Sequence, residues 1–107
     1  LQIPVADDYL AEEVAVMVTH VKGENKGNLF LFALSTCIWC KKTKKFLDDN
    51  NIEYRYVFMD ELSGSEKEEM RGKLQEWNTD CSYPTLVFNN KKCVVGYDED
   101  AIRKELK

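Results

Sequence analysis

Leu29-Phe30-Leu31-Phe32-Ala33-Leu34-Ser35-Thr36-Cys37-Ile38-Trp39-Cys40 runs from an unbroken apolar stretch into a pair of cysteines. Six apolar residues, Leu29 to Leu34, read as a buried strand. Ser35 and Thr36 stop it. Lys41 to Asn50 then reads as a helix, so the Cys-x-x-Cys pair falls at a strand–helix junction. One thiol is thereby placed at the helix N-terminus. Unpaired backbone N–H groups and the positive end of the macrodipole favour a thiolate there, which is the reactive form. The second cysteine follows one turn on, within reach of a disulfide. This is the arrangement a dithiol redox site needs.

Working outward, Asp7 and Asp8 can cap a first helix running to about Val21. Leu10, Val14, Met17, Val18 and Val21 recur at three and four and would share its inner face. Gly23 to Asn28 is a polar loop. In the helix after the cysteines, Ile38, Phe46 and Leu47 are expected to face inward. Lys41, Lys42, Lys44 and Lys45 are expected to cover the outer face. There they would add positive potential around Cys37 and could steer acidic partners. Asp48 to Asn51 ends the helix.

Tyr54 to Met59 reads as a second strand. Ser63-Gly64-Ser65 opens another helix, with Ser65 and Glu68 as a capping box. Met70, Leu74 and Trp77 share one face of it and read as core. Asn78 to Tyr83 is a loop leading into Pro84. Thr85 to Phe88 and Lys92 to Val95 read as a hairpin about Asn89-Asn90. Gly96 breaks it, and Asp98 caps a last helix with Ile102 and Leu106 facing in. The order α, β, α, β, α, β, β, α implies a four-stranded mixed α/β sheet flanked by helices, with an extra N-terminal helix. The first two strands should be parallel and the hairpin antiparallel. Residues 1–107 read as a single domain, with 1–28 a helix and loop before a core at 29–107.

Composition agrees with that size. The chain has 107 residues, 44% hydrophobic and 32% charged, which suits one core rather than disorder. The net charge of −4 argues against nucleic acid as a partner. No apolar run approaches membrane-spanning length. Leu1-Gln2-Ile3-Pro4 lacks the basic and apolar regions of a signal peptide. Four cysteines with a Cys-x-x-Cys among them point to a reducing, cytoplasmic setting rather than a disulfide-stapled module.

Cys37 and Cys40 could instead be half of a zinc site, but zinc needs four ligands. Cys81 and Cys93 lack the spacing of a second pair, and the single histidine, His20, falls in the first helix. No metal ligand set is therefore assigned. Cys81, three residues before Pro84, is either a small buried thiol or a third redox-active one; Cys93 reads as core filler. Trp39 lies between two site residues, so its ring is expected to be partly exposed and to pack against substrates.

Taken together, Cys37-Ile38-Trp39-Cys40 after a strand, the strand Tyr54 to Met59, Tyr83-Pro84-Thr85-Leu86-Val87-Phe88, and Val95-Gly96-Tyr97-Asp98 make residues 29–107 resemble the glutaredoxin branch of the thioredoxin-like superfamily. The resemblance implies Cys37 as nucleophile, Cys40 as resolving thiol, and a cis peptide before Pro84 facing them. It also implies a glycine turn at Gly96 beside the site. Substrate contacts are then expected at Trp39, Tyr83, Pro84, Gly96, Tyr97 and Asp98. Asp98 reads first as a helix cap; the resemblance also implies that Asp98 and Glu99 would meet the amino end of glutathione.

The departures from the family bear on the reductant. Ile38-Trp39 replaces the usual Pro-Tyr, Leu34 stands where many members carry Lys, Tyr83 replaces Val, and Val95 replaces the first of two glycines. The last feature resembles glutaredoxin-like redoxins that thioredoxin reductase reduces. A lost charged contact costs about 1.5–3 kcal/mol, or about tenfold to a hundredfold in affinity. The expected function is dithiol thiol–disulfide exchange on protein or small-molecule disulfides. No permanently bound cofactor is expected, and the protein is expected to be a monomer. The reductant would be glutathione, acting slowly, or an enzyme of the thioredoxin-reductase or ferredoxin-linked type docking on Trp39, Tyr83 and Tyr97. The alternative is an iron–sulfur carrier that bridges a cluster between two copies.

Overall fold

Residues 18–80 and 82–106 are described by the computed structural model. Among them, five strands form one sheet: β1 (Val18–Val21), β2 (Leu29–Ala33), β3 (Tyr54–Phe58), β4 (Thr85–Phe88) and β5 (Lys92–Val95). The helices are α1 (Ile38–Asp49), α2 (Gly64–Trp77) and α3 (Glu99–Glu105). Strand order is β1-β3-β2-β4-β5. β2 and β3 run parallel, with Phe30 opposite Arg55 and Ala33 opposite Phe58. The remaining pairs are antiparallel.

The apolar run of β2 is explained by its central place. All five of its residues are buried, and they serve two cores. Phe30 and Phe32 face Met70 and Leu74 of α2. Leu29, Leu31 and Ala33 face Cys40, Phe46 and Leu47 of α1 and Ile102 of α3. A strand with helices on both sides has no solvent face, so it shows no alternation. α1 and α3 thus share one face of the sheet, and α2 covers the other.

Val18–Val21 corrects the sequence reading. It is a strand on β3, with Val18 opposite Val57 and Val21 opposite Tyr54, rather than the end of a helix. The three-residue spacing that suggests one helical face instead places the two valines on opposite faces of the sheet. Val18 packs on the α2-side core and Val21 on the α1-side core. β-branched residues lose little in a strand, and pairing satisfies an edge of β3 that would otherwise be bare. The sheet accordingly has five strands, not four, and His20 lies in β1, bonded to Glu53 at 2.6 Å. The earlier part of the expected helix, with Asp7, Asp8, Leu10, Val14 and Met17, lies outside the described residues, as does Cys81.

Smaller corrections concern the helices. Ile38 is not inward; it is 62% exposed. Two residues along a helix is a turn of about 200°, so Ile38 lies nearly opposite Cys40. The inward positions of α1 are Cys40, Thr43, Phe46 and Leu47. Lys44 leaves the outer face, lies 4.0 Å over the Tyr56 ring and donates to the Tyr54 hydroxyl at 3.0 Å. α2 begins at Gly64 behind Ser63, whose side chain makes no cap bond, so the Ser65–Glu68 box does not open it. The hairpin turn is as expected: Asn89 and Asn90 take φ of 55° and 56°, which asparagine tolerates.

Candidate functional site

β2 ends at Ala33, and a turn closes from the Cys37 N–H to the Leu34 carbonyl at 3.2 Å. Cys37 is then the N-cap of α1. A cap position normally carries Ser, Thr, Asp or Asn, whose oxygen accepts an N–H of the first turn. Here sulfur does so: the Cys40 N–H donates to Cys37 Sγ at 3.2 Å. Lys41 N–H returns to the Cys37 carbonyl at 3.0 Å, which closes the first turn. No acidic residue occupies that turn to oppose charge on the sulfur.

The two thiols sit in different surroundings. Cys37 is half-buried and reachable; Cys40 is fully buried against the sheet, and both are free. Burial pushes the Cys40 thiol up to about 12, helped by its hydrogen bond to Cys37 and by the charge of Cys37. Low dielectric penalises the thiolate there, so Cys40 holds its proton.

Of the other expected site residues, Tyr83 and Tyr97 pack on the same core cluster as Cys37 and Cys40. Tyr83-Pro84 is a cis peptide. Pro84 is buried and Tyr83 half-buried, packed against both cores. The Gly96 N–H donates to the Pro84 carbonyl at 2.8 Å, which ties the glycine turn to the proline turn. Gly96 takes φ of +86°, a conformation that side chains resist. That turn delivers Tyr97 to Trp39, and the rings stack with centroids 6.3 Å apart and planes at 21°. Trp39 is 53% exposed. Lys42 Nζ lies 5.1 Å from the centre of that ring. The Tyr97 hydroxyl donates to Glu99, which raises the phenol above its ordinary range. Asp98 caps α3, accepting the Ala101 N–H at 3.1 Å. Val95 is 47% exposed and Ile38 62%.

Three residues here were not singled out from sequence. On the Leu34 side, a cavity of about 200 Å³ is lined by Leu34, Met59, Asp60, Lys67, Arg71 and Tyr83. Lys67 and Arg71 come from one face of α2, four residues apart. They bring the positive charge that Leu34 does not. Asp60 accepts the Ser35 N–H at 2.9 Å and the Ser35 hydroxyl as well. In sequence all three look like ordinary surface charges, because α2 and the β3 end meet the cysteine loop only after folding. Cys93 is half-buried, with its thiol 3.5 Å from the Trp77 carbonyl, in keeping with core packing.

Among the described residues, no group of three or more His, Cys, Asp or Glu side chains stands ready to hold a metal ion. None of the described helices is long and apolar enough to cross a membrane.

A family model described as Glutaredoxin matches residues 29–94. Similar solved structures include the glutaredoxin of Methanosarcina mazei Go1, at 41% identity over 84% of this chain and 87% of that one, with a TM-score of 0.78. Methanoredoxin of Methanosarcina acetivorans is 40% identical over 78% of this chain and 88% of that one, with a TM-score of 0.76. The glutaredoxin grx-1 of Archaeoglobus fulgidus is 28% identical over 74% and 85%, with a TM-score of 0.69. No curated protein sequence matches the chain.

Proposed function

The chain belongs to the glutaredoxin family, and from that premise we propose that it is a dithiol thiol–disulfide oxidoreductase working through Cys37 and Cys40. One observation carries this reading: a half-exposed sulfur caps α1 and accepts the Cys40 N–H, with a buried, protonated thiol behind it.

Cys37, as thiolate, attacks one sulfur of a substrate disulfide. The S–S bond breaks, and the departing sulfur leaves as a thiolate that takes a proton from water. A mixed disulfide remains on Cys37. Two of the causes that hold Cys40 protonated, the hydrogen bond to Cys37 and the charge of Cys37, then vanish; burial remains. Cys40 gives its proton to water, attacks Cys37 Sγ and expels the second substrate thiolate, which takes up a proton in turn. Two electrons pass to the substrate, and the Cys37–Cys40 disulfide is left. Tyr83, joined to Pro84 by a cis peptide, would offer its backbone to an extended substrate. Trp39 and Tyr97 offer it an aromatic surface.

For the second half of the cycle we favour a protein reductase, docking on Trp39, Tyr83 and Tyr97, in a cytoplasmic setting. Glutathione is the slower donor in this reading, since Leu34 supplies no charge on the loop. Lys67 and Arg71 leave it a partial anchor for a carboxylate. The decisive test is a trapping experiment. Cys40→Ser should accumulate a mixed disulfide with substrate, and Cys37→Ser should abolish exchange. Equal turnover in the two variants would exclude the dithiol route. The alternative, a cluster carrier, would appear as a brown dimer on purification without oxygen; a colourless monomer supports the exchange reading.

A further inference from the structure

The loop that carries the nucleophile is short, and one carboxylate from elsewhere in the chain holds it. β2 and β3 run parallel, with Ala33 opposite Phe58, so the two strands end side by side. Two residues beyond each end, Ser35 meets Asp60. Asp60 lies in the turn Met59–Glu61, and that turn is anchored by two buried neighbours, Met59 and Leu62. Its carboxylate takes both donors of Ser35, the backbone N–H at 2.9 Å and the hydroxyl. Ser35 is the second residue of the turn that Cys37 N–H closes on the Leu34 carbonyl.

We propose that Asp60 is a positioning residue for exchange: it clamps the Leu34–Cys37 turn and so fixes the Cys37 sulfur over the first turn of α1 and within reach of Cys40. The proposal rests on the reading of Cys37 and Cys40 as the redox pair. Transfer between the two sulfurs needs near-linear approach, so freedom in this turn subtracts directly from the closing step. A charged acceptor holds two donors more firmly than a neutral one would. Two further observations agree. The bonds from Ser35 pull the Asp60 carboxyl below its ordinary range, so it is ionised whenever the site works. Its charge also reaches Cys40, adding a small share to what keeps that thiol protonated.

The test separates the clamp from the charge. Asp60→Ala and Asp60→Asn in the full chain remove the same charge, but Asn keeps an oxygen for the Ser35 N–H. Ser35→Ala keeps the charge and the N–H bond and loses only the hydroxyl bond. For each, the closing step is followed in a single turnover as release of the second substrate thiol from a preformed mixed disulfide on Cys37. Urea unfolding is measured alongside. Asp60→Ala should slow closure by about tenfold or more, Asp60→Asn should recover most of that rate, and Ser35→Ala should fall between. Equal rates in Asp60→Ala and Asp60→Asn would overturn the proposal. So would closure at the wild-type rate in folded Asp60→Ala that has lost only stability. If Asp60→Ala does not fold, Ser35→Ala decides: several-fold slower closure supports the clamp, and unchanged closure overturns it. Cys37→Ser runs as a control. Wild-type exchange no faster than Cys37→Ser would sink the redox reading and the clamp together. Active wild type with unaffected Asp60 and Ser35 variants would sink the clamp alone.

Discussion

Cys40 carries a proton that a free thiol would begin to lose near pH 9, because burial holds it up to about 12. At pH 8, iodoacetamide should therefore modify Cys37 and leave Cys40 unlabelled in the folded protein. Peptide mapping checks this, and labelling of Cys40 first would reverse the assigned roles. The same shift is a statement about stability. A group whose folded pKa lies above its unfolded value contributes fully below the unfolded value, and that contribution is lost as pH rises toward the folded one. Between about pH 9 and pH 12 the native state should therefore lose stability through Cys40. Tyr54, also raised by burial and by its bond to Asp48, adds to the alkaline loss in the same direction. Urea unfolding of wild type and Cys40→Ser at pH 8 and pH 10 isolates the cysteine. Wild type should lose more stability over that interval; parallel losses would rule the assignment out.

At the level of elements, the site depends on how α1 and α3 begin. Cys37 caps one and Asp98 the other, the first with sulfur and the second with a carboxylate. Asp98→Ala should cost about 1 kcal/mol, the usual loss when a good cap is truncated. Asp98→Asn should restore it, since asparagine caps as well as aspartate. Chemical denaturation measures both. If Asp98 also meets a reductant, Asp98→Asn should slow reduction by glutathione while its stability stays normal. That difference separates a binding role from a capping one. The Gly96 turn is tied to the proline loop by the hydrogen bond from the Gly96 N–H to the Pro84 carbonyl.

Over the whole molecule, charge is unevenly placed. The chain carries −4, yet the exposed lysines Lys41 and Lys42 stand directly after the cysteine pair. Potential of that kind changes encounter rates more than equilibrium affinity. At low salt, a disulfide peptide with acidic flanks should be reduced faster than one with basic flanks. The gap should close as salt rises, since the screening length falls from about 30 Å at 0.01 M to about 10 Å at 0.1 M. Lys41→Glu with Lys42→Glu should reverse the preference; no dependence on salt or flank would remove the steering argument. The reductant is tested on the same scale. Stopped-flow reduction of the oxidised protein should be slow with glutathione and fast with a thioredoxin-reductase or ferredoxin-linked system. Lys67→Glu should slow glutathione further but leave an uncharged monothiol unaffected. Fast, saturable reduction by millimolar glutathione would show that Leu34 is no handicap.

Local pattern determined most of what matters here. The run Leu29 to Ala33 is apolar at every position because both of its faces are covered, and such a run is visible without coordinates. The Cys-x-x-Cys spacing, the Asn89-Asn90 turn and the Asp98 cap are likewise contained within a few residues of chain, where short-range geometry decides. Tertiary structure alone decided the rest. Val18 and Val21 fit a helix by spacing, and only the bare edge of β3 makes them a strand on opposite faces. Ile38 looks like core, but the orientation of α1 is set by Cys40, Thr43, Phe46 and Leu47, and this turns Ile38 out to solvent. Asp60, Lys67 and Arg71 are indistinguishable in sequence from other surface charges. Their meeting with Ser35 and Leu34 follows from parallel strands ending together and from α2 packing across the sheet, contacts between segments more than twenty residues apart.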